Sequence, residues 1–418
     1  MSFPAYECYK DSGSLRLGLV PSQWEVAHLK RVVTMHYGDA LASDIRNDAG
    51  GVLVFGSNGP VGVHDEANTR EPVIFVGRKG SCGALNWSDR AGFAIDTVYF
   101  IDASDCRADL RWLYWTLHVL GLSETSQDTG VPGLARETAY SSPVALPSVA
   151  EQRAIAAFLD RETAKIDALV EAQRRLIELL KEKRQAVISH AVTKGLDPSA
   201  PMKDSGVEWL GDVPAHWEIS QSRRMFGVRS EPALPGDQML TASQKYGVIF
   251  QADFVEREGR RVVEVIMGKD SLRHVEPDDF VISMRSFQGG LEWSQLRGST
   301  SFHYVMVTPI KWVHPPFFAC LFKSLPYIQA LRATTDLIRD GQEIRYSHFV
   351  KVPLPVIPLE EQKQIAAFLS VEVGRYDGLL EKSEEFIQLL QERRAALISA
   401  AVTGKIDVRG LVETAEAA

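Results

Sequence analysis

Apolar side chains recur along this chain with two different periods. Over residues 155–187, Ile155, Leu159, Ile166, Leu169, Leu176, Leu180 and Val187 fall, together with the polar positions Glu162, Gln173 and Lys183, at alternating spacings of four and three. That is a heptad seam, and it predicts a long helix with one apolar side. The pattern returns with Ile365, Leu369, Tyr376, Leu379, Phe386, Leu390 and Leu397, where Glu372, Ser383 and Arg393 take the polar places. Prolines bound each helix on its N-terminal side (Pro143 to Pro147, Pro353 to Pro358) and glycines on its C-terminal side (Gly195, Gly404). Proline cannot continue a helix backwards, and glycine readily takes the conformation that ends one. A helix of about 40 residues is about 60 Å long, so its seam needs a partner. The other copy in the same chain is favoured by its high effective concentration, with a coil between chains or an ordinary bundle as the alternatives. A pseudo-dyad across the helices would make the pair antiparallel.

The rest of the chain carries shorter signals. Gly51 to Phe55, Val73 to Val76 and Phe280 to Ser283 are apolar runs bounded by turn residues and read as strands. Arg111 to Leu120 and Phe317 to Arg332 carry apolar residues at helical spacing and read as core helices late in each globular region. The fold class expected is α+β: two mixed α/β domains separated by a long antiparallel two-helix coiled coil, with a pseudo-two-fold internal repeat.

The two halves are copies. Glu151-Gln-Arg-Ala-Ile-Ala-Ala-Phe-Leu159 returns as Glu361-Gln-Lys-Gln-Ile-Ala-Ala-Phe-Leu369, and the match runs ungapped to Thr193 and Thr403. A second repeat marks the domain starts: Lys10-Asp-Ser-Gly13, Leu17-Gly18, Val20-Pro21 and Trp24-Glu25 recur as Lys203-Asp-Ser-Gly206, Leu210-Gly211, Val213-Pro214 and Trp217-Glu218. The repeating unit is therefore domain plus helix. The boundaries expected are 1–148 and 201–357 for the domains, 149–200 and 358–406 for the helical spacers, and 407–418 for a disordered tail.

Composition narrows the picture. Hydrophobic residues at 45% and charged residues at 24% suit a folded soluble protein. The longest apolar stretch, Leu110 to Leu122, is broken by Arg111 and His118 and is too short for a bilayer. Without a basic, apolar leader at residues 1–10, the cytoplasm is the expected location and no membrane partner is expected. The four cysteines lie far apart and read as reduced. The net charge of -8 argues against a uniformly basic surface; residues 1–148 hold 12 basic against 17 acidic side chains, residues 201–357 hold 18 against 18. Any nucleic-acid surface must be a local patch.

Candidates for such a patch lie in loops after strand-like runs. Gly56-Ser-Asn-Gly59 and Arg78-Lys-Gly-Ser-Cys-Gly83 are rich in glycine and small polar groups, and Met284-Arg-Ser-Phe-Gln-Gly-Gly290 corresponds to the second, sharing an arginine followed five residues later by glycine. Such turns let a backbone approach a ligand closely. Arg285 and Gln288 have the forked donors and acceptors that read guanine and adenine edges, whereas Lys79 and Ser81 more easily reach a phosphate or a single acceptor. A tight hairpin with a solvated arginine is the competing reading. The candidate DNA-binding residues are Asn58, Arg78, Lys79 and Ser81 in the first domain and Lys245, Arg285, Ser286 and Gln288 in the second.

The repeated domain start and the helices opening with Ala150-Glu-Gln152 and Glu360-Glu-Gln362 resemble the specificity subunits of type I restriction-modification systems, over essentially the whole chain. The resemblance implies two target recognition domains that each read half of an asymmetric, bipartite double-stranded DNA sequence, with the paired helices as a ruler between them. It also implies a non-catalytic scaffold without cofactors of its own. Modification subunits would methylate with S-adenosylmethionine, and restriction subunits would cut with ATP and magnesium.

Absent motifs agree with that reading. His314-Pro-Pro-Phe317 lacks the acidic or amide residue with which an amino-methyltransferase holds the amine of a flipped base, and reads as a turn before a helix. Gly268-Lys269 and Gly404-Lys405 are followed by Asp270 and Ile406 rather than the Ser or Thr of a phosphate-binding loop. Glu361-Gln-Lys363 resembles a nuclease fragment but recurs as Glu151-Gln-Arg153, which reads as helix-start chemistry. The alternatives are a duplicated protein-binding scaffold without base readout and a self-sufficient methyltransferase or nuclease.

Overall fold

The computed structural model describes residues 3–41, 49–125, 133–259, 272–283, 286–335 and 344–411. They form two compact units, 1–173 with 385–418 and 174–384, so each unit holds one globular region and a part of each long helix.

In the first unit a four-stranded antiparallel sheet runs in the order His36–Tyr37, Val98–Asp102, Val73–Gly77, Leu85–Ser88. The second unit repeats the order with Phe226–Arg229, Val305–Pro309, Phe280–Ile282 and Glu292–Trp293. Flanking ribbons also match. Tyr9–Asp11 pairs with Leu19–Pro21 as Met202–Asp204 pairs with Asp212–Pro214, and Glu25–His28 pairs with Pro143–Leu146 as Glu218–Gln221 pairs with Pro353–Val356. The central strand Val73–Gly77 is buried along its whole length because side chains cover both faces of its sheet. Sheets and helices together give the mixed α/β fold.

The helix expected near Phe317 is two helices, Pro315–Phe322 and Leu325–Ala333. Pro326 has no N–H for an interior helical bond and occupies the first turn of the second helix, where none is needed. Pro315 and Pro316 likewise open the first, so His314-Pro-Pro-Phe317 is a helix start whose phenylalanine is fully buried.

The long helices span Val149–Lys194 and Leu359–Val402. Their buried face corrects the heptad expectation. Leu169, Leu176, Leu379 and Phe386 are 49%, 41%, 41% and 42% exposed, while Val170 and Ile177, outside that seam, are buried. Burial follows Ile155, Ile166, Ile177 and Ile188, each 11 residues after the last, and the second helix repeats this with buried Ile365 and Ile398 and half-buried Tyr376 and Ile387. Eleven residues make three turns at about 3.67 residues per turn, close to the 3.6 of an unstrained helix, whereas a heptad seam drifts by about 20° per repeat. Within the first unit, Ile155, Leu159, Ile166 and Val170 share a core with Leu390, Leu397, Ile398 and Val402, and Arg394 Nε reaches Asp167 Oδ1 at 2.8 Å. Within the second, Ile188 and Val192 share a core with Ile365 and Leu369, and Arg184 Nε reaches Asp377 Oδ1 at 2.8 Å.

The repeated motifs fasten each globular region to a helix. Gln152 Oε1 accepts from Asp109 N at 2.7 Å and its Nε2 donates to Pro147 O at 2.9 Å; Gln362 repeats this with His314 N and Ile357 O, each at 2.8 Å. Both amides are buried and hydrogen-bonded, as a buried polar group must be. Glu151 accepts from the Tyr6 hydroxyl at 2.7 Å, and Glu361 from Trp217 Nε1 at 3.0 Å. The helix-ending glycines, at φ +75° (Gly195) and +72° (Gly404), seat on Pro214 and Trp217 and on Pro21 and Trp24 respectively.

Residues 407–411 depart from the expected disordered tail. Asp407 N donates to Pro4 O at 2.7 Å, Val408 is fully buried, and Arg409 lies 5.0 Å from the Tyr6 ring centroid. An apolar side chain with a core socket and a paired backbone holds the segment. Residues 412–418 lie outside the described residues. Among the described residues no helix is long and apolar enough to cross a membrane.

Candidate nucleic-acid interface

In the first unit three turns gather at one end of the sheets. Gly56 pairs with Gly59, leaving Ser57 and Asn58 as a two-residue hairpin turn. Ser57 Oγ is shared between the carbonyls of Lys79 and Thr97, the latter at 2.9 Å. Thr97 O also accepts from Arg78 N at 2.9 Å and Lys79 N at 3.2 Å. The backbone thus fastens the loop 78–84 between the other two turns, and Asn58, Lys79 and Ser81 are exposed upon it.

Arg78 is half-buried. Its Nη1 donates to Asp96 O at 2.7 Å, and its guanidinium lies 5.0 Å from the Tyr37 ring centroid. Arg136, from the helix Arg136–Tyr140, lies 4.9 Å from the same centroid. Behind them Tyr99 donates its hydroxyl proton to Leu134 O at 3.0 Å. Burial, and then the hydrogen bond with Tyr37, pushes the Tyr99 hydroxyl up to about 12, so it stays neutral. Tyr37, Arg78, Lys79, Tyr99, Arg136 and Glu137 line one open pocket. Sequence reasoning missed Tyr37 and Arg136. A tyrosine in a two-residue strand and an arginine opening a five-residue helix carry no local signal, and only the fold brings them to Arg78.

In the second unit the hairpin Leu240–Ser243 and Gly247–Phe250 presents Lys245 at its tip. Lys245 Nζ lies 3.1 Å from Glu258 Oε1, which also accepts from the Tyr246 hydroxyl at 2.9 Å. Gln288 is exposed on the short helix Ser286–Gly289, beside the hairpin: a Cβ built on Gly289 would stand 2.6 Å from Gln244 Nε2. Ser286 is a correction. It is 1% exposed, and its hydroxyl accepts from Ser283 N at 2.8 Å, so it closes a turn instead of facing a ligand. Arg285 lies outside the described residues.

The glycine shared by the two loops has a structural cause. Gly83 (φ +76°) and Gly290 (φ +75°) would each drive a Cβ into backbone, 2.5 Å from Ser123 N and, for Gly290, onto Phe322 O. The loops must therefore cross the segment that follows the first helix, or its last turn, at backbone contact in both units.

Residues 21–179 match the family described as the type I restriction modification DNA specificity domain. The type I restriction enzyme EcoBI specificity subunit of Escherichia coli is 27% identical over 368 residues, 81% of this chain and 75% of the relative. The MjaVIII specificity subunit of Methanocaldococcus jannaschii is 21% identical over 256 residues, 55% of each chain. With the MjaX-named specificity subunit of that organism, identity is 23% over 64% of this chain; the matches span 60% of the MjaX and 55% of the MjaVIII relative. A solved structure titled for complex assembly and conformational transition of the type I R-M system covers 93% of this chain and 99% of its own, at TM-score 0.63 and 12% identity, a likeness of fold. Residues 21–179 thus match this DNA specificity domain, and over most of its length the chain is similar to specificity subunits of type I restriction-modification systems.

Proposed function

We propose that this chain is the non-catalytic DNA-recognition subunit of a type I restriction-modification complex. Residues 1–148 and 201–357 act as recognition domains that each read one half of an asymmetric, bipartite target. The long helices lie antiparallel and set the unread spacer. Modification subunits, and restriction subunits where cleavage occurs, supply methyl transfer and cutting with S-adenosylmethionine, ATP and magnesium.

The observation that carries this reading is one sheet order used twice with different loops at the same end. A duplicated frame with divergent tips suits the reading of two different half-sites, with phosphate contacts setting register and base edges setting sequence. The helix arrangement is supported by the ion pairs Asp167–Arg394 and Arg184–Asp377, whose residue numbers add up to the same total, as in an antiparallel pair held in one register.

Genome-wide methylation mapping with and without the chain tests the reading: one gapped motif disappears with it. Inserting 11 residues, three turns, into both helices lengthens them by about 16 Å. The spacer then grows by about five base pairs while both half-sites stay fixed. Altered half-sites with an unchanged gap contradict the ruler. A protein-binding scaffold would instead show association that does not weaken steeply with salt.

A further inference from the structure

The pocket around Tyr37 differs from the surroundings of four other arginines of the fold. Arg111, Arg184, Arg229 and Arg394 each lie within 2.8 Å of a carboxylate oxygen. Among the described residues, Arg78, Lys79 and Arg136 have no carboxylate within ion-pairing distance, and Glu137 is the one acid lining the pocket with them.

Their donors are largely unused. A guanidinium carries five N–H donors. Among the described residues the Arg78 side chain gives one bond, to Asp96 O, and the Arg136 side chain gives one, to Met35 O at 3.4 Å. Both guanidiniums are held near the Tyr37 ring, which orients a cation without neutralising it. The backbone beneath is fixed: Leu134 N donates to Arg78 O at 2.8 Å, and Lys79 bridges Gly133. Uncompensated charge on a fixed floor suits an external anion.

We propose that Arg78, Lys79 and Arg136, organised around Tyr37, form a clasp for one backbone phosphate of the DNA. This rests on the DNA-reading function and deepens it, because it makes Arg78 a register-setting residue instead of a reader of bases. A phosphate contact carries no sequence information, so the clasp adds affinity equally on all duplexes.

The test uses the full chain and a duplex carrying its mapped target, with fluorescence anisotropy read across a salt series. Arg136→Ala is expected to weaken target and non-target duplexes alike, by about tenfold. It should lower the salt slope by about one and leave the methylated motif unchanged. A second arm needs no variant. Single methylphosphonate replacements scanned along the target should find one position where neutralising the phosphate costs the wild-type chain its tenfold and costs Arg136→Ala nothing further. An excess of inorganic phosphate at matched ionic strength should leave DNA binding unchanged, because the clasp takes the duplex phosphodiester. A motif relaxed at one base pair overturns the proposal in favour of base reading, and so does an unchanged affinity beside a steep wild-type salt slope. A wild-type chain whose association ignores salt removes the DNA-reading function, and the clasp with it.

Discussion

In the first unit Arg78, Lys79 and Arg136 stand around Tyr37 without a carboxylate partner among the described residues, whereas in the second Lys245 reaches Glu258 and shares it with Tyr246. The strand order beneath both is the same. The difference teaches that the frame does not dictate the charge chemistry of its loops. In the first unit the loops are fastened through backbone carbonyls, at Thr97 and Gly77, so their side chains can change without disturbing the sheet. Duplication of such a frame yields two surfaces that diverge independently.

The largest effect that sharpens this comparison lies in the glycines that end the long helices. Both adopt a left-handed conformation, but a Cβ on Gly404 would stand 2.3 Å from Pro21 Cδ, whereas on Gly195 the nearest atom is 3.4 Å away. Gly404→Ala is expected to cost about 2 to 5 kcal/mol, from conformation and overpacking together, and Gly195→Ala about 1 to 2 from conformation alone. Urea denaturation of both variants checks this; equal losses would mean that the two seats are equivalent after all.

A smaller effect separates the units by pH. In the second, His274 is buried between Asp237 Oδ2, 2.7 Å from Nδ1, and Glu276 Oε1, 2.8 Å from Nε2, with Arg297 near both carboxylates. Burial pulls the His274 pKa down, but the hydrogen bonds to Glu276 and Asp237 outweigh it and the net direction is up. The stabilisation is fully present below the ordinary histidine value, about 6.5, and is lost as pH rises through the elevated one. Thermal melts from pH 6 to pH 9 should show the second unit weakening, and His274→Gln should flatten that dependence. A melt indifferent to pH in the wild type would break the account.

The smallest effect is on the surface. Glu258→Gln removes the partner of Lys245 and should change stability by less than about 1 kcal/mol, because an exposed ion pair is worth little. If Lys245 faces DNA, the freed charge tightens binding and steepens its salt dependence. Unchanged DNA binding would assign the pair to the hairpin alone.

Much of the frame could be read from the residues. The repeat identified both long helices, and the runs at Val73 and Phe280 are the central strands of two matching sheets. The loop 78–83 was found because glycine and small polar residues after a strand signal a turn, and its shared glycine proved necessary for backbone contact. Ser286 was misread because a serine beside glycines looks the same in sequence whether its hydroxyl meets solvent or caps a buried turn. Tyr37 and Arg136 were missed because they lie far apart in sequence and meet only through the sheet.

By itself the sequence determined the duplication, the length of the helices and the residues that start and stop them, because these depend on local backbone preference and on repetition. The tertiary structure decided which helical side is buried. Periods of seven and eleven share many positions, so only the neighbouring core distinguishes exposed Leu169 from buried Val170. It also decided where charge is left uncompensated, since whether Lys79 or Lys245 finds a carboxylate depends on distances that chain order does not carry.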